Sequence, residues 1–167
     1  MTSLTFEYLH KVQWADTDAA GITHFTAVFR YAEAAETAYF ESLLRSEVTR
    51  LVEEGYALER VHVEADYRRP FRFGDVARVR ICPVRLGRRS LEMHSVLDRS
   101  QDPEGSVPCA TVGIVMALVD LKAGESVPWP ENLAALLTAE IERRGPSQVV
   151  APGSGPVRYG RLEGCPG

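Results

Sequence analysis

The spacing of hydrophobic positions changes twice along the chain. Residues 4–14, LTFEYLHKVQW, alternate apolar and polar side chains, the period of a strand. From Thr26 to Leu44 the apolar positions Val28, Phe29, Ala32, Ala35, Tyr39, Phe40 and Leu43 recur every three or four residues. That spacing predicts a helix with one buried stripe, and Thr26 is placed to cap its first turn. RSEVTRLVEEG predicts a second, shorter helix that Gly55 ends. The period then returns to two in RVHVEADYRR, VARVRICPVRL, SLEMHSVLDRS and CATVGIVMALVDL. In the second of these, Val76, Val79 and Ile81 stand against arginines. The last is apolar enough to lie inside a sheet. PFRFGD reads as a turn and SQDPEGSVPC as a loop, and PENLAALLTAEIERR predicts a closing amphipathic helix with Pro130 near its start.

The order is strand, long helix, short helix, four strands and a final helix. Strands joined by short turns pair antiparallel, so the expected class is α+β, an antiparallel sheet of about five strands wrapped around a long central helix. At 167 residues the chain is long enough for one domain with a real core. The expected domain covers residues 1–145. Residues 146–167 are rich in glycine and proline and read as a flexible tail.

Composition narrows the function classes. The formal net charge of −4 argues against a nucleic-acid binder, which is usually basic. No apolar run approaches the roughly 20 residues that span a bilayer, so no membrane partner is expected. The N-terminus lacks the basic head and apolar stretch of a signal peptide, and a cytoplasmic location is the expectation. Cys82, Cys109 and Cys165 are odd in number with no CxxC pair, which suits reduced thiols. Cys82 and Cys109 fall in strand patterns and are expected to be buried. His10, His62 and His94 look like ordinary strand positions. No ligand spacing among cysteines and histidines fits zinc, so no metal is expected.

The segment ADTDAAGITHF packs Asp16, Asp18, Gly21 and His24 directly ahead of the long helix. Aspartate and glycine favour turns for backbone reasons alone, so a capped turn is one reading. The other is a site. A helix start offers free backbone N–H groups and a favourable dipole for developing negative charge, and Gly21 lets the chain turn tightly toward a ligand.

This segment, with YAEAAETAYFESL after it, resembles the DxDxxG signature of the hot-dog-fold thioesterases. It is most similar to the branch that holds 4-hydroxybenzoyl-CoA thioesterase, 1,4-dihydroxy-2-naphthoyl-CoA thioesterase and the YbgC-type acyl-CoA thioesterases. ADYRRPFRFGD is similar to that family's Y-x-x-P-x-x-x-G-D stretch, and LGRRSLEMHSVL continues the likeness, which runs from about Leu4 to about Leu121. The final helix and tail lie outside it.

The resemblance implies hydrolysis of an acyl-CoA, aromatic or aliphatic, to the free acid and coenzyme A. It implies no cofactor beyond the coenzyme A carried by the substrate. The family's catalytic aspartate falls on Asp18, as nucleophile or general base, and the backbone N–H that polarises the thioester carbonyl falls at Phe25. Gly21 shapes the loop, Asp16 is structural, and Glu33 matches an acidic position whose role is open. His24 stands where relatives carry an aromatic residue or asparagine. It either meets the acyl group and assists proton transfer or acts as a spacer.

Arg88 and Arg89 lie at a turn where relatives place basic residues, and arginine suits the phosphates of coenzyme A. A solvated hairpin tip is the other reading. Arg85 shares the turn, and Arg68, Arg69 and Arg72 are further candidates. Tyr67, with His24, Phe25 and Phe29, gives a partly aromatic lining. The family cleft lies between two subunits, which implies a homodimer or homotetramer. Two other functions fit the same residues: a thioesterase acting on acyl carrier protein, and an acyl-CoA-binding protein without turnover. A hot-dog dehydratase fits less well, because no paired histidine and acid stands in its arrangement.

Overall fold

The computed structural model describes residues 6–144. The glycine- and proline-rich stretch 146–167, with Cys165, lies outside them. β1 spans Phe6–Lys11 and leads through a 3-10 turn, Trp14–Asp16, to the long helix α1, Ala27–Glu53. Then follow β2 (Tyr56–Tyr67), β3 (Val76–Leu86), β4 (Ser90–Arg99), β5 (Ala110–Asp120), the two-residue β6 (Glu125–Ser126) and α2 (Glu131–Arg144).

α1 forms because its apolar positions stack on one face. Ala27, Val28, Tyr31, Ala32, Ala35, Tyr39 and Phe40 are buried in its first half, and Leu44 and Leu51 in its second. The two helices expected from the sequence are both present within these 27 residues and meet at a kink at Leu44, whose φ of −133° and ψ of 20° leave the helical region. Gly55, at φ +87°, takes the left-handed conformation just past the helix end. Thr26 precedes the first helical residue but does not cap it. Its hydroxyl bonds the His24 ring instead, at 2.8 Å.

The sheet is antiparallel throughout, in the order β1-β3-β4-β5-β2, with β6 beside the end of β5. The edge strands β1 and β2 both touch α1, and so do β3 and β5, which requires a sheet curled around the helix. This is the hot-dog arrangement. Its inner face carries Val79 and Ile81 of β3, Leu91, Met93 and Leu97 of β4, and Val112, Ile114 and Met116 of β5, all buried. Each such side chain removed from water stabilises the fold by about 1.5–3 kcal/mol. Val76 departs from the expected phase. It shares the outer face with Arg78 and Arg80, while Ala77, Val79 and Ile81 point inward. Cys82 and Cys109 are free thiols, both buried.

Two features of the frame position the site. The outer edge of β2 pairs with no strand among the described residues, and its stretch Glu59–Glu64 is exposed, Val61 and Val63 included. The β2–β3 connection returns across the end of the sheet and meets the segment that leads into α1. Among the described residues no helix is long and apolar enough to cross a membrane.

Candidate active site

The segment between β1 and α1 is fastened at each step. The Val12 N–H donates to the Asp75 carbonyl at 2.9 Å, and the Gly74 N–H donates back to Val12 at 3.3 Å. Further on, the Thr23 N–H donates to the Phe71 carbonyl at 3.0 Å, and Ile22 bridges to Arg72. Thr17 pairs with Thr23, so the chain between them folds back as a tight loop with Asp18 at its start.

That loop closes on Asp18. Its N–H donates to the Ile22 carbonyl at 2.9 Å, its carbonyl accepts from the Gly21 N–H at 3.0 Å, and its Oδ1 accepts from the Ala20 N–H at 2.8 Å. Such a side chain-to-backbone bond two residues on is a preferred role of aspartate in turns. Gly21 sits at φ +72° with no atom within 4 Å of where a Cβ would stand. The need for glycine here is conformational, not steric. Asp18 is exposed, and its Oδ2 has no partner among the described residues.

Asp16 has the opposite environment. It is buried, and its carboxylate collects the Gln13 N–H at 2.9 Å, the Tyr31 hydroxyl at 2.9 Å and the Arg30 guanidinium. Burial pushes its carboxyl up, but the Gln13 N–H, the Tyr31 hydroxyl and Arg30 outweigh that and hold it below the usual aspartate value. Burial, and then the bond to Asp16, push the Tyr31 hydroxyl well above the usual tyrosine value. The Asp16 carbonyl also accepts the His24 N–H at 2.7 Å, so this buried acid fixes where the chain turns into α1.

At that turn, the Ala27 N–H goes to the His24 carbonyl at 2.9 Å, and the Thr26 N–H approaches the His24 ring at 3.4 Å. The Phe25 N–H donates to nothing among the described residues, and Phe25 is 62% exposed. Its carbonyl is held from across the fold by the Tyr67 hydroxyl, at 2.7 Å. Burial raises the Tyr67 hydroxyl above its usual value, so it remains a donor. The His24 ring lies 4.5 Å from the Phe25 ring, with Nδ1 on the Thr26 hydroxyl.

The structure therefore brings Asp18, Gly21, His24, Phe25 and Tyr67 to one end of the sheet. Arg88 and Arg89 do not join them. Lys11 pairs with Val76 at the loop end of β3, whereas the arginines follow Leu86 at its other end, about 33 Å away along the strand. Arg89 also donates to the Ser126 carbonyl at 2.7 Å, and the Arg88 carbonyl accepts the Trp129 N–H at 3.3 Å. Arg72 is the arginine beside the loop. Arg69 is committed to Asp102 at 2.6 Å, and Arg68 lies 3.9 Å from Asp66. Glu33 is exposed on α1, 4.0 Å from Arg60.

The pattern reading did not single out Arg30, Tyr31, Glu36 or Arg60. Glu36 carried a signal, since an acid between Ala32, Ala35 and Tyr39 is in phase with the buried stripe. No group of three or more histidines, cysteines or acids capable of holding a metal occurs among the described residues.

Known proteins share this frame. A Staphylococcus aureus protein solved in complex with CoA superposes with a TM-score of 0.77 at 14% identity, covering 92% of this chain and 93% of that one. A 1,4-dihydroxy-2-naphthoyl-CoA hydrolase of Prochlorococcus marinus (strain MIT 9303) is 35% identical over 94 residues, 50% of this chain and 60% of its own length. The chain thus spans less than two thirds of that relative. The enzyme of the same name from another strain of Prochlorococcus marinus is 31% identical over 148 residues, 83% of this chain and 90% of its own. The family model described as the thioesterase-like superfamily matches residues 12–137, so the shared region runs past Leu121 and into α2. On that match, which takes in the Asp18 loop, α1 and all of the sheet except β1, the chain belongs to the thioesterase-like superfamily.

Proposed function

We propose that this protein is an acyl-CoA thioesterase whose reaction takes place between Asp18 and the start of α1. The observation that carries this reading is the Phe25 N–H, a donor at a helix start with no partner among the described residues, on a loop whose other arm presents the free Oδ2 of Asp18. A thioester oxygen placed on that N–H gains a donor and the positive end of the helix as charge develops. The Asp18 carboxylate then attacks the acyl carbon or takes a proton from the water that does. On the first route the thiolate of coenzyme A leaves and water then opens the anhydride formed on Asp18. On the second, water adds directly and the thiolate leaves. Both release the free acid and restore the carboxylate. Curated relatives named as 1,4-dihydroxy-2-naphthoyl-CoA hydrolases support an aromatic acyl-CoA, and the CoA complex of a structural neighbour supports the coenzyme.

The working unit is a pair of chains. The exposed, unpaired stretch Glu59–Glu64 of β2 is an edge able to accept a second copy of itself, antiparallel, extending the sheet across a two-fold axis. The distance between Arg88 and the Asp18 loop within one chain also favours a shared cleft, with the phosphate end and the acyl end held by different copies.

Thiol release from a panel of aryl and alkyl acyl-CoAs tests the activity. Turnover of aryl acyl-CoAs is expected, whereas binding of the thioesters with no thiol released would favour the binding-protein reading. Arg88→Ala should raise KM for an acyl-CoA by about tenfold, the worth of one charge-assisted bond to phosphate, and leave the matching pantetheine thioester unaffected. Arg88 is the better probe because Arg89 also ties the hairpin to Ser126. Equal losses on both substrates would remove Arg88 from the phosphate role and leave the carrier-protein reading open.

Tyr67 acts through Phe25. Tyr67→Phe deletes the bond to the Phe25 carbonyl and little else, so kcat should fall by about fivefold, near 1 kcal/mol, with a smaller change in KM. A rise in KM at constant kcat would instead make Tyr67 a wall of the substrate pocket.

A further inference from the structure

A cavity of about 540 Å³ lies away from the Asp18 loop, between the second half of α1 and the first half of β2. Phe40, Val48, Leu58 and Met116 give it apolar walls, and among the described residues Arg60 is the one cation that lines it. Arg60 stands on the inner face of β2, opposite Met116, just before the irregularity that shifts the register at His62. Its side chain keeps 35% of its exposure, so the group there that needs pairing is the buried acid it reaches.

Its partner is Glu36. The Glu36 side chain is fully buried, and its Oε2 accepts from Arg60 Nη2 at 3.0 Å. Burial pushes the Glu36 carboxyl above its usual value despite the arginine. Its Oε1 is buried with no partner among the described residues. Glu33 lies 4.0 Å from Arg60 and adds charge, not a hydrogen bond. Arg60 has five donors, and among the described residues only the one bond to Glu36 is made. Arg60 lines the cavity, and its remaining donors are uncommitted.

The charges around the cavity narrow what those donors can take. Glu41 and Glu53 line the same space, and the Glu36–Arg60 pair is neutral as a unit. A carboxylate would meet the acids. A neutral acceptor oxygen, such as a hydroxyl or keto group on an otherwise apolar ring, meets both the donors and the apolar walls.

Position links the cavity to the reaction across two copies. Within one chain Arg60 lies about 23 Å along β2 from Tyr67, too far for an aryl acyl group held at Phe25. Two β2 strands paired about the middle of the exposed stretch Glu59–Glu64 place Tyr67 of one copy opposite Tyr56 of the other. That sets the Phe25 end of one chain against the cavity of its neighbour.

We infer that Arg60, held in place by Glu36, is the residue that selects the acyl group, by donating to an uncharged oxygen on the ring of a substrate whose thioester lies on the other copy's Phe25. The inference rests on the acyl-CoA thioesterase reading and the two-chain cleft above.

The test compares each hydroxybenzoyl-CoA isomer with the methylbenzoyl-CoA of the same substitution, which matches it in size. Wild type should favour at least one hydroxyl isomer in kcat/KM by about tenfold or more, the range of a hydrogen bond to a charged donor. In Arg60→Met that ratio should fall to near one. Because Arg60→Met leaves Glu36 buried without its partner, the double variant Glu36→Gln/Arg60→Met, which removes both charges, is measured beside it and should show the same loss of preference. A wild type without preference, or variants that keep it, overturns the assignment. Binding of the non-hydrolysable hydroxyphenacyl and methylphenacyl thioethers of coenzyme A separates this inference from the proposed activity. If no thioester is hydrolysed, the thioesterase reading fails. A tenfold tighter hydroxyl analogue that loses its advantage in the double variant still supports the pocket, and equal affinities overturn it.

Discussion

Asp18→Asn lowers turnover by more than about a hundredfold, the lower range for loss of a positioned acid–base or nucleophilic group. Asparagine keeps the volume of the side chain and keeps a carbonyl oxygen where Oδ1 accepts from the Ala20 N–H. The turn from Asp18 to Ile22, fixed by two backbone bonds, does not depend on the charge. What is lost is the carboxylate at Oδ2, the atom left without a partner. Pre-steady-state kinetics with an aryl acyl-CoA, alongside a thermal melt, separates the two effects: thioester binding and melting temperature stay near wild type while the chemical step collapses. Near-native turnover by Asp18→Asn would remove this residue from the reaction.

Asp16→Ala has its large effect on stability. It strands the buried Tyr31 hydroxyl and the Gln13 N–H and deprives Arg30 of its partner. Breaking such a group by removing its shared acceptor costs about 3 kcal/mol, which lowers the melting temperature of a chain this size by about 6–12 °C. Its pH dependence has a definite sign. The folded-state pKa of Asp16 is depressed, so its contribution is present above the ordinary aspartate value, about 3.9, and is lost as pH falls through the lower folded value. The difference in melting temperature between wild type and Asp16→Ala should therefore shrink on acidification below that value. An unchanged melting temperature at neutral pH would show that the Asp16 cluster does not hold the loop.

Much of the fold was legible because two periods were clean. The stripe of Val28, Ala32, Ala35 and Tyr39 marks α1 as a helix with one buried side, and the alternation in SLEMHSVLDRS marks β4. The phase of β3 was harder, because valines stand on both its faces. Arg78 and Arg80 were the better guide, since they set the outer face and leave Ala77, Val79 and Ile81 inside. The two helices expected on either side of Leu44 are the two halves of α1, which meet where Leu44 leaves the helical region. β6 has two residues and no period to detect.

The site divided in the same way. The Asp18–Gly21 turn is local, and local turn chemistry is visible in a sequence. The bond from Tyr67 to Phe25 joins residues 42 apart and exists only because β2 ends beside the start of α1. The location of Arg88 and Arg89 was likewise a matter of register. Sequence placed them on a hairpin tip, but only the pairing of Lys11 with Val76 shows which end of the sheet holds the Asp18 loop. Glu36, an acid in phase with an apolar stripe, carried a signal that the pattern reading passed over, and its partner on β2 carried none.

A thioester carbonyl held on the Phe25 N–H beside Asp18 can be observed on the carbonyl itself. Asp18→Asn holds the substrate without consuming it, so an aryl acyl-CoA labelled with carbon-13 at its carbonyl can be bound and followed by infrared difference spectroscopy. A donor at a helix start polarises the carbonyl and weakens its double bond. The labelled band should move to lower frequency in the complex than in solution. A bound thioester whose carbonyl band stays at its solution position would show that the carbonyl does not rest on that N–H.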